Sequence, residues 1–151
     1  MIFRQATLDD ILPMQMVRNA VKENVLSDPS VISNDSYIPF LEERGMGWVC
    51  SIRNQVVGFA FVDLKEKNVW ALFVSPNFEG RGIAQELQRI MLKEYFAHTQ
   101  DAIWLGTAPN TRAENFYRES GWKDIGMHGK NELKFEMTYD VWNSKFNRRL
   151  L

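Results

Sequence analysis

The sequence predicts a mixed α/β protein: one domain built on a mostly antiparallel sheet of about seven strands with helices on both faces. Three observations carry that prediction. Residues 69–74 (VWALFV) are a short run of bulky apolar side chains, and from Ile83 onward the apolar positions move to helical spacing. Between Gly47 and residue 64 the apolar period is two, the mark of strands. A second apolar run, residues 102–105 (AIWL), is again followed by a helical segment with a cap at each end.

Taken in order, residues 1–6 form a short strand. Thr7 or Asp10 caps a helix running to about Val21, with Ile11, Met14, Val17 and Val21 on its buried face and Arg18 and Lys22 flanking it. Pro13 falls in its first turn, where a missing N–H does no harm. Residues 23–34, with Asp28-Pro29 and several Ser and Asn, read as a loop long enough to invite a functional role. Asn34 or Asp35 caps a short second helix through Ile38 and Leu41 to Arg44, ended by Gly45.

Trp48, Cys50 and Ile52 then alternate with Val49, Ser51 and Arg53, and Asn54-Gln55 turns the chain into a returning strand over 56–64. Lys65-Glu66-Lys67 leads into 69–74, completing a three-strand meander that Pro76 closes. The helix from Ile83 buries Ile83, Leu87, Ile90 and Met91 and turns Glu86, Arg89 and Lys93 outward. Pro109-Asn110 breaks the 102–105 strand; Thr111 caps a helix over 112–119, which Gly121 ends. Residues 122–127 and 133–139 are closing strands around Gly129, Lys130 and Asn131. The domain spans 1–142, and 143–151 is a polar, basic tail.

Composition narrows the function classes. With 45% hydrophobic and 25% charged residues the 151-residue chain has the make-up of an ordinary soluble domain. A net charge of -1 gives no reason to expect nucleic acid or an acidic membrane as partner. One cysteine, Cys50, excludes an internal disulfide and a cysteine-based zinc site; it reads as a small core residue. No apolar run nears the roughly 18 residues of a membrane helix, and the N-terminus has no secretory h-region. The expectation is a cytoplasmic protein with no metal.

Between the 69–74 strand and the helix lie Gly80, Arg81, Gly82, Ile83 and Ala84, three of which carry no bulky side chain. Glycines let backbone approach a ligand, and the free N–H groups of a helix start attract anions, so the stretch is a candidate phosphate cradle. It is not a Walker loop, because no Lys follows Gly82. Nor is it a dinucleotide fingerprint, because Gln85 stands where a third Gly or Ala belongs. It resembles the acyl-CoA loop of the GNAT N-acetyltransferase superfamily, Gln/Arg-x-x-Gly-x-Gly/Ala after a strand ending Val-x-Pro. Here Glu79-Gly80-Arg81-Gly82-Ile83-Ala84 follows Val74-Ser75-Pro76, and Glu79 departs from the usual Gln or Arg. Downstream, Asn110, Ala113, Tyr117 and Gly121 match the family's Asn-x-x-Ala-x-x-x-Tyr-x-x-x-Gly-Phe, with Trp122 for Phe.

The resemblance covers about residues 2–140 and implies a central sheet splayed into a V that admits the pantetheine arm of acetyl-CoA. It implies that backbone groups of Leu72, Phe73 and Val74 bond the arm. It also implies that backbone N–H groups around Gly80–Ala84 hold the pyrophosphate, helped by Arg81, that Glu79 beside them points its negative side chain away or costs affinity, and that Asn110 bonds the arm through its amide. Tyr117 would protonate the leaving thiolate; phenol and thiol differ by about two pKa units. Acetyl would pass directly to a primary amine of a small or amino-acid-like acceptor, and a homodimer is compatible with the family. Glu23 and Asn24 lie where the family builds its acceptor site; Trp70 and Glu132 are further acceptor-binding candidates. The 69–74 strand has no carboxylate, so the base is open among Glu23, Glu132, Glu136, His128 and a water chain. A non-catalytic acyl-CoA-binding module and a protein-modifying acetyltransferase are the alternatives.

Overall fold

In a computed structural model, residues 1–21 and 32–146 are described. Glu23 and Asn24, and residues 147–151 of the tail, lie outside them. The α/β fold comprises seven strands and five α-helices among these residues, and the chain falls into two compact units, Met1–Lys93 and Glu94–Leu151.

The first unit opens with β1 (Ile2–Gln5), a 3-10 turn (Leu8–Asp10) and α1 (Ile11–Ala20). Asp10 organises this entry: its carboxylate takes both Arg4 Nη groups at 2.8 Å and the Thr7 N–H at 2.8 Å. Pro13 indeed lies in the first turn of α1. A second 3-10 turn (Asn34–Tyr37) leads into α2 (Ile38–Glu42), which ends three residues before Gly45 because Gly45 already begins β2 (Gly45–Ile52). The hairpin to β3 (Gln55–Asp63) turns at Arg53 and Asn54, one residue earlier than expected; both have positive φ, 53° and 64°, as a two-residue type I′ turn requires. β4 (Asn68–Val74) completes the meander, and the order β1-β2-β3-β4 is antiparallel throughout.

β2 and β3 are buried on both faces, although their sequences alternate. The cause is cover on two sides: α1 packs on β3 and α2 on β2, while the side chains of Ile83 and Leu87 lie 3.1 and 3.3 Å from where a Cβ on Gly58 would stand. Met14, Val17, Tyr37, Val49, Phe59, Phe61 and Ala71 form the core under α1 and α2. Asp63 fixes the far end, accepting a fork from Arg44 (3.1 and 2.5 Å) and the N–H groups of Lys65 and Glu66.

Helix α3 (Ile83–His98) runs from the first unit into the second. There β5 (Ile103–Thr107), α4 (Arg112–Glu119), β6 (Lys123–His128), β7 (Glu132–Met137) and α5 (Tyr139–Phe146) follow. β7 lies between β5 and β6 and pairs antiparallel with both. α5 takes in residues 143–146, which composition alone assigns to the tail: Trp142 stacks on Phe96 at 5.0 Å, and that apolar anchor carries the helix.

Candidate active site

The Gly80–Gly82 turn has the conformation its sequence demands. β4 ends at Val74, the Ser75 N–H bonds Val57 O at 2.7 Å, and a 3-10 turn over Pro76–Phe78 carries the chain to Gly80. Gly80 and Gly82 both lie in the left-handed region, at φ 76° and 80°, with no atom closer than 3.6 Å to a Cβ built on either. Backbone conformation, and not crowding, is therefore what requires glycine. The first helical bond of α3 runs from Glu86 N to Gly82 O at 3.1 Å, which leaves the N–H groups of Ile83, Ala84 and Gln85 outside the intrahelical ladder. They point out of a sixteen-residue helix whose dipole favours an anion at that end.

The flanking charges are partly committed. Arg81 lays its guanidinium over the Phe78 ring, 5.0 Å from its centre. Arg89 forks onto Glu86 at 2.8 and 2.6 Å, one turn into the helix. Glu79 is extended and exposed. Leu72, Phe73 and Val74 pair with Ala60, Phe59 and Gly58 of β3, and a register shift at Phe61/Val62 leaves Trp70 bulged between Ala71 and Val69.

In the second unit Asn110 takes a positive φ of 63°, and its N–H donates to Glu114 Oε1 at 2.7 Å. Thr111 caps α4 as expected, its hydroxyl accepting from Glu114 N at 3.2 Å. At the other end Gly121 (φ 96°) donates to Arg118 O and Trp122 to Tyr117 O, the paired bonds of a Schellman cap. The Tyr-x-x-x-Gly-Trp spacing thus has a local explanation: it sets Tyr117 against Trp122, ring to ring at 5.6 Å. Tyr117 is 7% exposed and also lies against Phe116 and Phe135; burial pushes its phenol far above the ordinary value.

Glu132 and His128 are partners across β6 and β7, and the Glu132 carboxylate lies over Gly106, 2.7 Å from where its Cβ would be. Glu136 stands opposite Trp104, whose ring carries Lys134 Nζ at 4.6 Å and His128 at 4.9 Å. This face therefore holds charges of both signs.

One group escaped sequence reasoning. Arg18, which flanks the buried stripe of α1, turns its guanidinium inward over Trp70 (4.7 Å), Phe73 (4.8 Å) and Tyr37 (5.8 Å). Burial lowers its pKa, tempered by the nearby Tyr37 oxygen. The available signal was its place one residue after Val17, at the edge of an apolar face. Among the described residues no helix is long and apolar enough to cross a membrane, and no cluster of His, Cys, Asp and Glu could hold a metal ion.

A family model described as the acetyltransferase (GNAT) family matches residues 13–122, a span that includes both motifs. No curated protein matches the chain. Among solved structures it is similar to smu.2055 from Streptococcus mutans UA159, at 20% identity over 92% of this chain and 99% of that one, TM-score 0.78. It is similar to the ribosomal-protein-alanine N-acetyltransferase from Brucella melitensis, at 19% identity over 91% and 99%, TM-score 0.74. It is also similar to the PaiA N-acetyltransferase from Thermoplasma acidophilum, solved in complex with coenzyme A, at 13% identity over 91% and 98%, TM-score 0.72. At these identities the likeness is one of fold.

Proposed function

Because the chain belongs to the GNAT acetyltransferase family, we propose that it transfers an acetyl group from acetyl-CoA directly to a primary amine of a small or amino-acid-like acceptor. The observation that carries this reading is the turn before α3, whose two left-handed glycines lead into three helix N–H groups that lie outside the intrahelical ladder and are open to an anion. On this reading those groups and the backbone N–H groups around Gly80, Arg81, Gly82, Ile83 and Ala84 hold the pyrophosphate, helped by the Arg81 side chain, while Glu79 beside them keeps its carboxylate pointed away. Backbone groups of Leu72, Phe73 and Val74 and the Asn110 amide hold the pantetheine arm.

The amine nitrogen attacks the thioester carbonyl, the C–S bond breaks, and Tyr117 supplies the proton that the sulfur takes up. A phenol whose pKa is raised by burial is protonated throughout the neutral range, so the donor form is always present. It is also a weak acid, so donation is easiest when the phenol regains a proton from the amine in the same event. Glu132, Glu136 and His128 are the described candidates for steering that proton away; Trp70 and Glu132 are acceptor contacts on this reading. No metal is needed, the setting is cytoplasmic, and a homodimer is compatible with all of these roles.

The decisive experiment is calorimetry against CoA followed by an amine panel in which thiol release is measured for wild type and Tyr117→Phe. Equal rates on a good substrate would remove Tyr117 from the mechanism, and absence of CoA binding at millimolar concentration would remove the whole reading. A non-catalytic CoA-binding module is the second reading. It is favoured by the absence of a carboxylate on β4, and tight CoA binding without turnover on any amine would support it.

A further inference from the structure

Arg18 turns the Nε–Nη2 edge of its guanidinium inward beside the rings of Trp70 and Phe73. Its Nε and Nη2 are buried and lack a hydrogen-bond partner among the described residues. The rings of Trp70, Phe73 and Tyr37 satisfy the flat faces of the guanidinium, but a ring over a face accepts nothing from donors in the plane. A buried cation with unbonded donors is unfavourable unless an acceptor is provided.

The same chain shows what that edge binds. Arg44 uses Nε and Nη2 to fork onto Asp63, and Arg89 uses Nε and Nη2 to fork onto Glu86. In both, the two oxygens of one carboxylate meet the two donors of one guanidinium edge, the geometry for which arginine is suited. Arg18 presents that edge without a carboxylate. The Tyr37 hydroxyl, which donates to Gln15 Oε1 at 2.8 Å, offers Arg18 a single neutral oxygen that tempers its charge but leaves Nε and Nη2 without the paired oxygens a carboxylate supplies. Arg18 also lies against Phe73, on the strand where the pantetheine arm is placed above.

We propose that the Nε–Nη2 edge of Arg18 receives the carboxylate of the acceptor, so that the substrates are amines bearing a carboxylate, of the free amino-acid class. The inference rests on the acetyltransferase reading and deepens it.

The test measures acetyl-CoA turnover on a set of L-amino acids, each paired with its carboxamide, for wild type, Arg18→Gln and Arg18→Lys. Wild type is expected to favour the acid about tenfold or more in kcat/KM. Arg18→Gln is expected to bring acids down to the level of their amides through KM, with the CoA affinity unchanged; Arg18→Lys should recover only part, because an ammonium makes no fork. Equal use of acid and amide by wild type, or an acid preference that survives in Arg18→Gln, would overturn the proposal; the first comparison needs no variant to fold. If no amine is acetylated, the acetyltransferase reading fails separately. Titrating the same acids and amides into the CoA-saturated protein then decides the site, with intrinsic tryptophan fluorescence as readout. An acid-specific change lost in Arg18→Gln supports it, and no acid-specific change overturns it.

Discussion

At the scale of single residues, two buried ionisable groups make opposite predictions. Tyr117 has its phenol pushed up by burial, so its proton-bearing form persists above the usual value near 10. The kcat–pH profile should therefore show no alkaline fall from this group below about pH 10, and any earlier limb belongs to another residue. Tyr117→Phe should lower kcat by about a hundredfold, within the range of general acid catalysis, while CoA binding by calorimetry stays unchanged. Asp10 behaves the other way. Burial pushes its carboxyl up, but the Arg4 fork and the N–H and hydroxyl of Thr7 more than reverse this, and its pKa is lowered. A group depressed in the folded state adds stability above its unfolded value near 4 and loses it as pH falls through the folded value. Asp10→Asn should destabilise by about 1 to 3 kcal/mol at pH 7, with the gap to wild type closing in acid, as measured by urea unfolding.

At the scale of elements, the two motifs are two helix ends with different needs. The turn before α3 needs glycine for conformation alone, as nothing crowds a Cβ at Gly80 or Gly82. Gly82→Ala should cost about 1 to 2 kcal/mol of stability from the left-handed φ, and Gly82→Asn less, because asparagine tolerates that region. CoA affinity should fall in the same order. Gly121 differs: besides φ 96°, a Cβ there meets Lys145 Cδ at 2.8 Å. Gly121→Ala should thus be at least as destabilising, and because it releases the cap holding Tyr117 against Trp122 it should lower kcat more than it weakens CoA binding. Urea melts and calorimetry on the pair separate the two helix ends.

At the scale of the whole molecule, a ligand that binds only the folded chain must raise its melting temperature. CoA at a hundred times its Kd should add about 2.7 kcal/mol, a rise of roughly 5 to 10 °C for a chain of this size. Differential scanning calorimetry with CoA and with adenosine alone checks it. A shift of the same size with adenosine would place the binding energy outside the pyrophosphate and pantetheine contacts. The Arg18 proposal adds a second increment at this scale, from amino acids added to the CoA-bound protein but not from their amides.

Most elements were legible because their signals are local. The helix over 112–119 has the expected bounds, since its cap residue Thr111 and its stop Gly121 are written beside it. The helix from Ile83 follows its 3.6 period, and the glycines of the cradle announce their positive φ by being glycines. What sequence missed has its cause at long range. The hairpin turn falls at Arg53-Asn54, one residue early, because the Ile52–Gln55 pair closes a two-residue type I′ turn that holds Arg53 at positive φ, a conformation its residue type does not announce. Helix α5 depends on Trp142 meeting Phe96, forty-six positions earlier in the chain, and no window of local composition contains that contact. Arg18 is the clearest case. Its letter and spacing describe a surface cation, and only packing against Tyr37, Trp70 and Phe73, drawn from two other elements, turns it into a buried donor awaiting an anion. Local chemistry is enough to specify helix ends and an anion-binding turn; burial is a property of the assembled chain, and burial decides which charges are left to bind something else.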